Sequence, residues 1–297
     1  MKESRVLYRG CGCALVTPFT KDNRVDCETI RKLCGFHLEN GTDALIVCGT
    51  TGEASTMTAG EQSLAIRAAA ETVDGRIPIV AGVGGNDTAK VAAACQAAER
   101  AGADAVLAVT PYYNKTTQKG LIAHFQAVAD ASRLPVILYN VPSRTGLNLL
   151  PETAAILSEH ENIIGNKEAS GDIDQIAQIV RLCGDRLPVY SGNDNTTLPV
   201  LAVGGIGVIS VLANICPKVM HDLCCSFEQD PEKARKLFLA LLPAINALFF
   251  EVSPIPVKTA MNLMGFDVGP LRLPLVPMQE SNLQKMTKVL KDCGLFA

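Results

Sequence analysis

The chain has 297 residues, enough for one large domain or two small ones, and 48% of them are hydrophobic, which can fill a sizeable core. A net charge of -3 with interspersed signs leaves no basic patch and argues against nucleic acid as a partner. The longest apolar runs fall far short of the ~20 residues a membrane span needs, and residues 1–5 (MKESR) lack the apolar core of a signal peptide, so a cytoplasmic protein with no membrane association is expected.

Short apolar runs alternate with longer amphipathic stretches from the N-terminus onward. Strands are expected at residues 14–19, 44–47, 79–81, 105–109, 136–140, 163–167, 189–191 and 207–210. Helices are expected between them at 27–39, 59–73, 88–101, 119–132, 151–158, 173–183 and 197–202, with another at 217–228 after the eighth strand. Thr58 stands three residues before Glu61, a capping-box spacing. Gly41, Gly75, Gly102 and Gly184 mark helix ends, where glycine readily takes the left-handed conformation.

Eight β-then-α units in succession imply parallel strands joined by right-handed crossovers. Continuously apolar strands fit a sheet covered on both faces. The competitor is an open doubly wound sheet, but eight units in roughly 225 residues suit a closed (β/α)8 TIM barrel better. After Asp230 the strand signal stops, and 231–250, 257–264 and 281–292 read as helices, with Pro243 bending the first. The expected division is a barrel over residues 1–228 and a C-terminal helical region over 229–297, the latter serving subunit contacts.

Eleven cysteines at irregular spacing, with no C-x-x-C pair, read as reduced thiols used as small apolar residues. His37, His124, His160 and His221 are isolated and read as structural, so no metal site is expected. Gly82-Val83-Gly84-Gly85 lacks the third glycine of a dinucleotide loop and reads as a tight strand-to-helix turn.

The stretch Ile163-Ile164-Gly165-Asn166-Lys167-Glu168 carries the chemistry. Alternation along a strand puts Ile163, Gly165 and Lys167 on one face and Glu168 on the other. An amine pointing into a barrel is desolvated, which lowers its pKa from about 10.4, and a neutral amine attacks carbonyls to form a Schiff base. Taken alone, the stretch fits a strand-end lysine reaching solvent better, and the rest of the chain has to supply the context.

Barrel active sites lie beyond the C-terminal ends of the strands. Collecting polar residues there gives Thr50 and Thr51 after strand two, Tyr112 and Tyr113 after strand four, and Tyr139 and Arg144 at the end of strand five. Lys167 ends strand six, Gly192-Asn193-Asp194 follows strand seven, and strand eight supplies Ile209. Imine formation needs proton transfers to a carbinolamine and from the adjacent carbon. Hydroxyls of tyrosine and threonine, each donor and acceptor, can carry them. Arg144 offers a planar fork for a carboxylate.

With these segments in view, G-T-T-G-E (49–53), P-Y-Y-N-K (111–115), Y-N-V-P-S-R-T-G (139–146), K-E-A-S-G-D (167–172), G-V-I-S-V (207–211) and E-V-S-P-I-P-V-K (251–258) resemble the dihydrodipicolinate synthase family, in order along nearly the whole chain. The resemblance implies a class I aldolase-type lyase that condenses pyruvate with L-aspartate-4-semialdehyde, without metal or organic cofactor. It implies that Lys167 forms the imine, that Tyr139 transfers protons, and that Thr50 links Tyr139 to Tyr113, which reaches into a neighbouring subunit. Thr51 would hold the pyruvate carboxylate and Arg144 that of the aldehyde, with Gly192 and Ile209 lining the pocket. A homotetramer, a dimer of tight dimers, is also implied.

Feedback-inhibited relatives bind lysine through histidines just after G-T-T-G-E and a glutamate after the third strand. Here those places hold Ala59, Gln62 and Lys90, so weak or absent lysine inhibition is expected, although Asn86 and Tyr112 remain. Two alternatives stay open. One is a sister pyruvate-lysine aldolase, of the N-acetylneuraminate lyase or 2-keto-3-deoxy sugar acid type, which Arg144 argues against. The other is a barrel that binds a keto acid without catalysis.

Overall fold

The structure, a computed structural model, describes residues 6–296. Eight parallel strands follow one another around a closed barrel in chain order. They are β1 (Gly10–Ala14), β2 (Ala44–Val47), β3 (Ile79–Gly82), β4 (Ala105–Val109), β5 (Val136–Asn140), β6 (Ile163–Glu168), β7 (Val189–Ser191) and β8 (Gly207–Ser210). Pairing of Gly10 with Gly207 through Cys13 with Ser210 closes the ring and rules out an open doubly wound sheet. The (β/α)8 TIM barrel expected from the period is the observed architecture.

Helices run between the strands: α1 (Cys27–Glu39), α2 (Ala59–Val73), α3 (Thr88–Arg100), α4 (Gln118–Ala131), α5 (Pro142–Thr145), α6 (Pro151–Leu157), α7 (Ile173–Cys183) and α8 (Thr197–Ala202). Helix α9 (Pro217–Ser226) follows β8, and α10 (Pro231–Ala247), α11 (Ile255–Leu263) and α12 (Glu280–Asp292) complete the chain. Their starts follow local chemistry. Thr58 and Glu61 form the reciprocal capping box of α2, and Asp26, Asp87, Asp172 and Asp230 each accept a backbone N–H at a helix start. Pro243 lies inside α10, which packs on α8, α9 and α12.

The first strand is the main correction. It occupies Gly10–Ala14 rather than 14–19. The bulky run at 14–19 has the stronger strand propensity, but Pro18 lacks a donor, and this segment is held by contacts outside the sheet: Val16 N–H donates to Asn214 and Phe19 N–H to Val268 O. The glycines of the true strand answer a space constraint. A Cβ on Gly207 would lie 2.1 Å from Gly10 O, and one on Gly12 would lie 2.4 Å from the Tyr8 hydroxyl. Helix α5, inside the Y-N-V-P-S-R-T-G segment, was also not anticipated; at four residues it has no periodicity to read.

Side chains separate into two cores. Ile46, Val80, Leu107, Ile137, Tyr190 and Ile209 fill the barrel interior, and a larger apolar layer lies between strands and helices. Tyr8 stacks on Tyr190 with ring centroids 4.5 Å apart, and the Tyr190 hydroxyl donates to Tyr8 O at 2.7 Å. The barrel is thus a packed core, leaving chemistry to the strand ends.

Replacing Gly207 by Ala should force β1 and β8 apart at the closing seam. Overpacking of this kind costs about 1–3 kcal/mol, and more where backbone blocks the methyl group. Urea denaturation of Gly207→Ala should show at least that loss, which reports the steric clash because Gly207 does not sit in the left-handed region.

Candidate active site

Lys167 and Tyr139 are register partners on adjacent strands, and the Lys167 ammonium nitrogen lies 4.2 Å from the Tyr139 ring centroid. Both side chains point into the barrel near its C-terminal end. The face assignment for Ile163 needs correction. Val136 pairs with Ile163 but Ile137 pairs with Gly165, so β6 carries a bulge at Ile164. One extra residue reverses the alternation: Ile163 packs in the outer layer and Ile164 against the interior cluster. Lys167 and Gly165 keep the inward face, and Glu168 faces outward as expected.

Lys167 is only 6% exposed. Burial pulls its pKa from 10.5 down to about 7, the Arg144 cation adds to the depression, and the Asp194 carboxylate opposes it. The amine makes no hydrogen bond to another described residue. At neutral pH a large share of it is therefore unprotonated and nucleophilic.

Glu168, its neighbour in sequence, cannot neutralise it. That carboxylate accepts from Asn140 Nδ2 at 3.0 and 3.1 Å, from Asn166 Nδ2 at 3.2 Å and from Ser170 N–H at 2.9 Å. Asn140 also donates to Asn148, which donates in turn to Gln175, each at 2.7 Å. This outward network fixes the ends of β5 and β6 and leaves the inner face to Lys167 and Tyr139.

Burial pushes the Tyr139 phenol up to about 12, against the opposing influence of Arg144 and a side-chain hydrogen bond with Thr50. The phenol stays protonated at neutral pH and can both give and take a hydrogen bond. Thr50 and Thr51 lie in a loop wound as successive turns, with Gly52 N–H donating to Gly49 O and Glu53 N–H to Thr50 O. Thr50 is exposed and Thr51 buried. Arg144, on α5, is exposed and donates to Ser253 O at 3.3 Å. Gly192 N–H donates to Glu168 O at 2.7 Å, and a Cβ there would strike Ala169 at 2.6 Å. Ile209 is fully buried in the inner wall.

Tyr113 is not brought together with these residues. It sits at φ 66° after β4 and is 89% exposed, whereas Tyr139 is buried.

Two contributors carry little signal in the sequence. Asp194 is buried, and its Oδ2 accepts from the N–H groups of Val211 and Leu212, both at 3.0 Å, while its charge acts on Lys167. In the sequence it is one polar residue of the loop after strand seven, and an acid beyond a strand end is the available clue. The other is Glu53, the acid of G-T-T-G-E, whose φ is 55°. Its Oε1 meets Lys258 Nζ at 2.8 Å and its Oε2 accepts Arg272 N–H at 2.9 Å. Lys258 Nζ also donates to Thr17 O at 3.1 Å and to Pro270 O at 2.7 Å, so this second buried lysine is fully engaged and unfit as a nucleophile.

The cost of drying Lys167 gives a stability test. Its folded pKa lies below the unfolded value, so the penalty is fully present below pH ~7 and fades as pH rises toward 10.5. Lys167→Met should therefore be more stable than the parent at pH 6, by an amount on the order of 5 kcal/mol, with the gap narrowing at pH 9. Thermal unfolding of both proteins at the two pH values measures it; a gap independent of pH would contradict the depressed pKa.

Known proteins match this chain along its length and in its fold. The sequence profile of the dihydrodipicolinate synthetase family matches residues 7–293. A 4-hydroxy-tetrahydrodipicolinate synthase from Thermoanaerobacter sp. (strain X514) is 54% identical over 292 residues, covering 98% of each chain. The crystal structure of dihydrodipicolinate synthase from Thermotoga maritima superimposes with a TM-score of 0.95 at 46% identity, covering 98% of this chain and 100% of that one. A solved structure described as a monomeric dihydrodipicolinate synthase variant superimposes at 0.96 with 45% identity, covering 99% of both chains. Matched end to end in sequence and in fold, with a buried amine where the barrel opens, the chain belongs to the dihydrodipicolinate synthetase family.

Proposed function

We propose that this chain is a Schiff-base-forming lyase that condenses pyruvate with L-aspartate-4-semialdehyde to give 4-hydroxy-tetrahydrodipicolinate, as the names of its relatives suggest. The observation that carries the reading is a dry, hydrogen-bond-free lysine amine facing a protonated tyrosine at the mouth of the barrel.

In this scheme the neutral Lys167 amine attacks the keto carbon of pyruvate. Tyr139 protonates the carbinolamine oxygen, which leaves as water, and the imine forms. Loss of a methyl proton through the Tyr139–Thr50 pair gives the enamine, whose carbon attacks the aldehyde. The amine of the second substrate then displaces Lys167 and closes the ring. Thr51 holds the pyruvate carboxylate, Arg144 the carboxylate of the aldehyde, and Gly192 and Ile209 shape the pocket. The iminium is itself the electron sink, so the scheme calls on no metal or organic cofactor.

Tyr113 enters the scheme from a second copy. Its exposure, beside exposed Tyr112, suits a side chain that completes a neighbour's relay, and a dimer of tight dimers is the assembly we favour. One structural relative is described as monomeric, so the assembly is a property to measure for each chain. No described helix is long and apolar enough to cross a membrane, and the proposed setting is cytoplasmic biosynthesis.

Borohydride with pyruvate should add one covalent adduct at Lys167, located by peptide mass spectrometry, and Lys167→Ala should abolish it. Tyr139→Phe should lower kcat by about 10²–10⁴-fold while the parent fold is kept. A coupled assay with pyruvate and aspartate semialdehyde, run beside N-acetylneuraminate, separates synthase from sister aldolase. Adduct formation without turnover on either substrate would point to the keto-acid-binding barrel.

Regulation by L-lysine is expected to be weak. Gln62 spends its side-chain amide on Ala54 O at 2.9 Å, and the Lys90 ammonium is exposed beside Asp87 at 3.4 Å, placing a cation where the ligand's own ammonium would need an acid. Turnover should stay near its starting value as L-lysine rises; strong inhibition at sub-millimolar concentration would overturn this reading.

A further inference from the structure

At the opposite end of the barrel from Lys167, three side chains from distant parts of the chain converge. Asp43 immediately precedes β2, while His221 and Cys225 lie one turn apart on α9, so the two share a helix face. His221 Nδ1 lies 2.8 Å from Asp43 Oδ2 and 3.7 Å from Cys225 Sγ, and one ligand atom from each residue lies within 4.8 Å of the other two. Asp43 is itself held in place, its Oδ2 accepting the Cys11 N–H at 2.7 Å.

Nδ1–H donating to Asp43 accounts for the shorter contact, and the exposed Cys225 thiol lies beside the same nitrogen. A carboxylate, an imidazole and a thiol therefore converge on one small space, where a cation could accept a lone pair from each in place of that hydrogen bond.

We propose that Asp43, His221 and Cys225 form a binding site for a divalent transition-metal ion of the zinc class. Carboxylate, imidazole and thiolate are the donors such an ion prefers, at bond lengths of about 2.0–2.3 Å. Those lengths make tetrahedral ligand–ligand edges of about 3.4 Å. The sulfur–nitrogen edge already sits near that value, the shorter nitrogen–oxygen edge needs to open by about half an ångström, and the oxygen–sulfur edge, within 4.8 Å, has to close. Cys225 is exposed, which allows the adjustment and leaves the fourth position to water. Binding releases the thiol proton to solvent and moves the imidazole proton from Nδ1 to Nε2, so that both donors present lone pairs. The ion joins α9 to the N-terminal rim of the barrel and acts on stability rather than turnover.

The test uses Co²⁺ as the spectroscopic probe on full-length, reduced, chelator-treated protein. One equivalent should produce the visible bands of tetrahedral cobalt together with a near-ultraviolet sulfur-to-cobalt charge-transfer band. Cys225→Ser should remove the charge-transfer band. His221→Gln should weaken binding at least about tenfold, since loss of even an outer partner of a metal ligand costs about 10–100-fold. Both variants should retain the parent's turnover, which establishes that they fold. Absence of the bands at saturating Co²⁺, or a charge-transfer band that survives Cys225→Ser because another thiol supplies it, would overturn the proposal.

Discussion

The chemistry proposed for this barrel depends on keeping one amine dry. Moving the Lys167 pKa from 10.5 to about 7 amounts to a free-energy cost on the order of 5 kcal/mol, a large fraction of a domain's net stability. Much of the surrounding architecture can be understood as holding that strain. Glycines let β1 and β8 close tightly, an aromatic pair fills the barrel interior, and the register of β5 against β6 stacks the amine on the Tyr139 ring. The carboxylate next in sequence is turned outward and occupied by two asparagines and a backbone N–H, so it cannot restore the proton that burial removes.

A second buried lysine throws the first into relief. Lys258 is as inaccessible as Lys167, yet it has a carboxylate and two carbonyls around it. An amine so surrounded is a clamp, whereas one with no hydrogen-bond partner among the described residues suits the nucleophile proposed here. The clamp also explains what the C-terminal helices do for the site. Lys258 on α11 and Arg272 beyond it grip Glu53, which anchors the loop bearing Thr50 and Thr51, and Ser253 receives Arg144. The helical region therefore positions both loops expected to meet substrate carboxylates. Breaking such a buried pair on one side leaves an uncompensated charge, which is why the two ends of the interaction depend on each other.

The two ends of the barrel divide the work. Residues beyond the strand C-termini carry the proposed catalysis, and those at the N-terminal rim bear on stability. The Asp43–His221–Cys225 cluster belongs to the second group, tying the last barrel helix to the start of β2. Its members are 178 residues apart in the chain at their widest hydrogen-bonded pair, so spacing rules for metal ligands pass over them.

What the sequence determined alone was whatever depends on neighbours along the chain. The β/α period, the capping of α2 by Thr58 and Glu61, and the placing of Lys167, Tyr139 and Arg144 at strand ends are all local, because periodicity and caps act over a few residues. The same locality explains the misplaced first strand, where a bulky run outweighed a glycine- and cysteine-rich strand whose small residues make sense only against β8. The bulge at Ile164 likewise follows from pairing with β5. Tertiary structure decided ring closure, the dryness of Lys167, the charge of Asp194 acting on it, and the grip of Lys258 on Glu53. Each is an interaction between groups brought close only by folding, and Coulomb and desolvation energies depend on distance in space, which residue spacing does not record.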